Sequence, residues 1–185
     1  GLLNDDGAPT PLFLPFRTTA MNLRGAKYLG SFQLPDSPPN YVFARDNEVT
    51  VVFPGDLPVS AELNLGDSVQ HVDMWGRRSM LATQSGKHQV TSDGEPIFCI
   101  GCSEAMARWR LESGFESGIM PAVYGGHADA IVGRNTYSQK IKGTVSLKIP
   151  KDWEAKPDSW DIELEAGESF RLPTTIYLPQ TASLG

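Results

Sequence analysis

Cysteine is nearly absent from this chain. Two residues in 185, Cys99 and Cys102, exclude a disulfide framework as the source of stability. Long apolar runs are missing too, and without about 18 consecutive apolar residues there is no membrane span. The N-terminus lacks the basic region and apolar block of a signal peptide, so Gly1 reads as the start of a fragment or mature chain. Basic charge is scarce: 16 Lys and Arg against 22 Asp and Glu give a net charge of −6 and a pI near 5.0. The cations are scattered, which excludes nucleic acid and anionic membrane as partners and leaves a neutral ligand or another protein. Hydrophobic residues are plentiful, at 40% with four Trp, eight Phe and five Tyr, enough for packed cores.

The two cysteines stand as "FCIGC". That spacing suits redox chemistry or half a zinc site, but zinc normally takes four ligands, and no second Cys pair or nearby His cluster supplies the rest. A redox pair belongs at a helix N-terminus, whereas "EPIFCIG" reads as a strand. The reading is ordinary buried thiols, with no metal and no cofactor.

The first thirty residues differ from the rest. Leu12, Phe16, Ala20 and Leu23 recur at helical spacing, Thr10 and Pro11 suit an N-cap and first helical position, and Gly25 or Gly30 can end the helix. An amphipathic helix is predicted over 11–25, its apolar face packed on something, with Pro15 kinking it or marking its start. From Tyr41 the period becomes two. "YVFAR" and "EVTVVF" flank Asp46-Asn47 as a β-hairpin, and "SAELNLG", "VQHVD", "RSMLA", "HQVT" and "PIFCIG" follow, separated by Gly-, Asp- and Pro-bearing turns. Short strands at this spacing predict a sandwich or barrel. "AMARWRLESG" suits a strand or a short helix. Two strand segments within 128–150 and a final pair around Ala166-Gly167 complete the pattern, with Ile162, Leu164, Phe170, Leu172, Ile176 and Leu178 inward. That is fewer strands than the usual seven, so the last sheet is expected to be incomplete. The predicted fold class is all-β: an N-terminal helix and linker over 1–27, then two immunoglobulin-like β-sandwich units over 28–103 and 104–185.

Two stretches carry a resemblance. Val145, Leu147, Ile149, Pro150, Trp153, Leu164, Gly167, Glu168, Phe170, Leu178, Pro179 and Gly185 match the pattern of the NEW3-type (alpha-galactosidase-associated) immunoglobulin-like domain that accompanies many bacterial glycosidases. Asp6, Gly7, Pro9, Pro11, Leu29, Gly30, Asp73 and Gly76 resemble the junction at which a (β/α)8 glycoside hydrolase barrel passes into a C-terminal β-sandwich. The resemblance implies a non-catalytic accessory region of a secreted or periplasmic bacterial enzyme, with the catalytic barrel of that enzyme as its partner and polysaccharide as a second one. It also implies that Trp153 seals a core.

A search for chemistry agrees with a non-enzymatic chain. Glycoside hydrolysis needs two carboxylates about 5 to 9.5 Å apart across a sugar, and Glu163 and Glu165 share an exposed strand face, where like charges serve solubility. His71, His88 and His127 have no spacing that predicts a nucleophile partner, and there is no G-x-S-x-G elbow. Sugar binding would need exposed aromatics for stacking. Trp160 and Trp75, each in a polar turn, and Tyr124, His127 and Asp129 at the "YGGHADA" loop tip are the carbohydrate-binding candidates. A carbohydrate-binding module and a cell-surface protein-interaction domain are the alternative readings.

Overall fold

The structure, a computed structural model, describes residues 1–34, 37–46, 48–121 and 123–179. The chain divides into two compact units, Gly1–Ala107 and Arg108–Gly185. The fold is all-β and sandwich-like, with one helix, α1 (Phe13–Leu23), ahead of the strands and a second, α2 (Glu104–Glu112), at the division. Position 104–112, where strand and helix both suited the sequence, is thus a helix. The Ser103 hydroxyl accepts from the Met106 N–H and caps its start.

The first unit holds β1 (Lys27–Gln33), β2 (Pro39–Arg45), β3 (Glu48–Phe53), β4 (Val59–Leu63), β5 (Gln70–Asp73), β6 (Arg78–Met80), β7 (Thr83–Gln84), β8 (Lys87–Ser92) and β9 (Ile97–Cys102). They form a six-stranded sheet, β1-β2-β3-β9-β5-β6, and a three-stranded sheet, β4-β8-β7. The predicted hairpin is β2–β3. Arg45 pairs with Glu48, and Asp46 adopts φ 48° in the connecting turn; Asn47 lies outside the described residues.

Strand β3 is covered on both faces. Val49, Val51 and Phe53 are buried on one side with Ile97 and Cys99 beside them, and Thr50 is buried on the other. The small sheet also has one buried side, on which Val59, Leu63, His88 and Val90 alternate with exposed residues. The second face carries a cluster of Val72, Phe98 and Ile100, with Leu23 of α1 and Val52 against it. Helix α1 thus packs through Leu23 on the second face of the large sheet.

A bulge explains the cysteines. In a regular strand residues three apart point to opposite faces, but Gly101, at φ 82°, is skipped by the β3–β9 register, so Cys99 and Cys102 pair with Val51 and Val49 on the same side. Both are buried, and the Cys102 thiol donates to the Cys99 carbonyl at 3.3 Å. Burial pushes the Cys99 thiol well up, with the neighbouring Cys102 adding to it, and lifts Cys102 to about 12. A reactive pair would be shifted the other way.

Helix α1 departs from expectation in three ways. It starts at Phe13 after an uncapped Leu12, because the Thr10 hydroxyl donates instead to the carbonyls of Gly1 and Leu2, where Leu3 and Pro9 form a bridge. Pro15 falls in its first turn, where no N–H is needed, so there is no break. Its buried residues are Thr18 and Asn22, while Leu12 and Phe16 of the predicted packing face are 64% and 56% exposed and Ala20 is exposed as well. The Asn22 side-chain oxygen Oδ1 accepts from Arg78 at 3.3 Å, and Thr18 sits under the Gly76 turn, its hydroxyl 3.2 Å from where a Cβ would stand. Polar partners on the sheet turn the polar side inward.

The second unit holds β10 (Gly114–Phe115), β11 (Gly125–Arg134), β12 (Ile141–Ser146), β13 (Glu154–Lys156), β14 (Ser159–Leu164) and β15 (Ser169–Leu178). Four make one sheet, β10-β11-β15-β13, and β12-β14 make another. β11 and β15 pair antiparallel over ten residues, from Gly125↔Leu178 to Arg134↔Ser169. Between the sheets Ala155, Ile176 and Leu178 are packed by Met120, Leu147, Ile149 and Trp153. Trp153 thus closes a core, its N–H donating to the Pro150 carbonyl at 3.0 Å. Leu164 is buried, whereas Ile162, Phe170 and Leu172 are only half-buried. Gly185, the end of the matched pattern, lies outside the described residues.

Candidate functional site

Strand β15 alternates. Phe170, Leu172, Thr174, Ile176 and Leu178 turn toward the interior, which leaves Arg171, Pro173, Thr175 and Tyr177 on the outer face of the four-stranded sheet. The register sets Gly126, Ala128 and Ala130 of β11 and Glu154 and Lys156 of β13 beside them. A groove of about 390 Å³ opens on this face, lined by Ala128, Pro173 and Thr175 together with Glu116, Asp129 and Lys156. On the same face of the sheet the Tyr177 ring lies across Gly126, 2.8 Å from where a Cβ would sit. Only glycine leaves room for the ring there. Lys156 Nζ stands 5.7 Å from the same ring and within 2.7 Å of Glu154.

The charges around the groove are paired in advance. Arg171 donates to both oxygens of Glu116, at 2.9 and 2.7 Å. These bonds hold the Glu116 carboxyl below its ordinary range, against partial desolvation and the nearby Asp129 charge. For Asp129, desolvation acts upward. It is outweighed by bonds from the Ala130 N–H, at 2.7 Å, and the Ser117 hydroxyl, at 3.0 Å, with Arg171 nearby, so this carboxyl also lies below the usual range. A general acid needs the opposite shift. The groove offers fixed donors, fixed acceptors and short side chains, which is chemistry for holding hydroxyl groups rather than for moving protons.

No family model matches this chain, and no curated protein matches it significantly. Among solved structures it is similar to a family 39 glycoside hydrolase from the gut symbiont Bacteroides cellulosilyticus, at 16% identity and a TM-score of 0.45, over 55% of this chain and 22% of that one. It spans about a fifth of that enzyme's length.

Of the five residues picked from the sequence, only Asp129 lines the groove. Tyr124 is 66% exposed just before β11, and the His127 ring donates from Nε2 to the Val123 carbonyl of its own loop. Trp160 lies in β14 opposite Val145 and is half-buried. Trp75 belongs to the other unit, in the turn between β5 and β6. There Asp73 accepts from the N–H groups of Trp75 and Arg77 at 2.9 Å, and Gly76 closes the turn on the Asp73 carbonyl. Burial acts to raise the Asp73 carboxyl, and the bonds from Arg77 and Trp75 bring it below its usual range. The Asp-x-x-Gly pattern is therefore a turn lock, with Trp75 carried 40% exposed at its tip.

Sequence reasoning missed Glu116, Lys156, Arg171, Pro173 and Tyr177. The signal for three of them was present: the alternation in "FRLPTTIYL" that sends the leucines inward sends Arg171, Pro173 and Tyr177 outward together.

Proposed function

We propose that this chain is a non-catalytic accessory β-sandwich region of a secreted or periplasmic glycoside hydrolase, stabilising or positioning a (β/α)8 catalytic barrel. The observation that carries the reading is α1, which shows Leu12, Phe16 and Met21 to solvent while burying Thr18 and Asn22. A helix so arranged has apolar area left for a partner. The resemblance of residues 6–30 to a barrel-to-sandwich junction supplies the kind of partner, and the resemblance of the last forty or so residues to a NEW3-type immunoglobulin-like domain agrees with an accessory role. The lowered Glu116 and Asp129 carboxyls leave the groove without a protonated carboxyl from this pair to act as general acid, which agrees with an accessory role. Sequencing the reading frame upstream of Gly1 tests the reading. A barrel with two strand-end carboxylates there supports it, and a different fold, or a start codon near Leu2, overturns it.

The second reading is a carbohydrate-binding module, favoured by the outer-face groove, with Pro173 in its lining and the Tyr177 ring beside Lys156 on the same face. Titration against a panel of plant and algal polysaccharides separates the two. Saturable binding that is lost in Arg171→Ala assigns the groove to sugar, and no binding at millimolar sugar removes this reading.

A further inference from the structure

The two-stranded sheet of the second unit has an open edge whose geometry selects its occupant. Among the described residues β12 pairs with β14 alone. The Leu147 N–H donates to the Asp158 carbonyl at 2.8 Å, which makes that pair a hydrogen-bonded one. By antiparallel alternation Gly143 and Val145 also bond to β14, and Lys142, Thr144 and Ser146 turn their N–H and C=O groups the other way. No partner for those groups exists among the described residues. Beside this edge lies a gap of about 520 Å³, lined by the whole of β12 together with Trp109, Tyr137 and Ile162. Trp109 is stacked on Phe170 of the facing sheet, with centroids 5.5 Å apart, and so forms a fixed wall. The side chains on the inner face of the pair, Ile141, Val145, Trp160 and Ile162, are all half-buried, and only Leu164 is fully covered. The sheet is short of a strand on the β12 side.

We propose that the β12 edge is a strand-addition site for an extended peptide segment, apolar at alternate positions and acidic between them. Three residues with outward N–H and C=O groups, repeating about every 6.8 Å, are open to water in the free chain, and the ligand whose spacing matches all three is another extended backbone rather than a sugar or a compact ligand. Every second side chain of that segment enters the gap and meets Trp109, Tyr137 and Val145. The side chains between lie on the outer face beside Lys142, which is 81% exposed and reaches only Glu163, at 3.7 Å. This favours carboxylates there. The site is independent of the accessory reading and stands or falls on its own test.

The probe is a synthetic acetylated octapeptide alternating valine with glutamate and threonine, titrated into the whole chain by amide NMR. Saturable binding should slow hydrogen exchange at Lys142, Thr144 and Ser146 by about tenfold or more while leaving β3 and β9 unchanged. Thr144→Pro removes one outward N–H without touching the β14 ladder and should abolish the protection with the far-UV spectrum intact. Thr144→Val, which loses only the 2.8 Å hydroxyl bond to Asp161, should keep it. On the native chain, a peptide N-methylated at alternate residues should fail to bind, so the result does not depend on folding of the variant. Protection absent at millimolar peptide, equal binding by the N-methylated peptide, or concentration-dependent dimers that protect the same amides without peptide would each overturn the assignment.

Discussion

Asn135 follows the last residue of β11 in a segment that reads as plain polar loop, "GRNTYSQK", yet it is 1% exposed. Its side-chain amide donates to the carbonyls of Gln139, Leu164 and Glu165 at 2.9 to 3.1 Å, and its side-chain oxygen accepts from the Tyr137 N–H at 3.0 Å. Its backbone bonds Gly167 and Glu168 across the turn before β15. One side chain therefore fixes both the β11–β12 loop and the β14–β15 turn. Asn135→Ala leaves several buried backbone groups without partners and should cost about 3 kcal/mol. Urea denaturation checks this, and a loss below about 1 kcal/mol would mean water replaces the amide. Nothing periodic announces such a residue, since its partners are backbone atoms, two of them local and two about thirty positions away, and an isolated Asn in a polar run looks like solvent-facing loop.

Among the elements, α1 shows how far pattern reading goes. The helix and its stop near Gly25 follow from spacing and glycine, and Gly25 takes φ 71° with the Arg24 N–H closing on Ala20. Which face is buried did not follow, because the choice is made by Arg78 and the Gly76 turn on distant strands. The expected energetics run against the usual order. Asn22→Ala removes the acceptor for Arg78 and should cost about 1 kcal/mol, while Phe16→Ser on the exposed side should stay within about 0.5 kcal/mol. Thermal unfolding of the two variants decides it, and a larger loss for Phe16→Ser would reverse the orientation of the helix. The strands divide in the same way. β2, β3, β5, β8 and β9 were legible from alternation over four to seven residues. β1 was hidden by an irregularity between Tyr28 and Gly30, and β7, β10 and β13, at two or three residues each, are too short to carry a period. The groove was missed for a related reason: it is assembled from three strands and the loop after β10, and single-strand alternation cannot say which segments become neighbours.

Over the whole molecule, coverage rather than composition sets where the chain opens first. Both units draw on the same apolar residue types, but β3 and β9 are buried on both faces, with Val51, Phe98 and Cys99 all at 2% exposure or less, whereas β12 has no fully buried residue and, among the described residues, one edge without a paired strand. Amides in a strand covered on both faces exchange only when the surrounding unit unfolds, and edge amides exchange by local fluctuation. With stabilities of about 5 kcal/mol or more for an intact domain, the Val51 and Cys99 amides should be protected by about 10⁴-fold in native-state hydrogen exchange. Lys142, Thr144 and Ser146 should show almost none, and Gly143 and Val145, bonded to β14, should fall between. Equal protection along all six residues of β12 would mean that its outer edge is already covered in solution. The same measurement without any peptide therefore tests whether that edge is free to receive a strand.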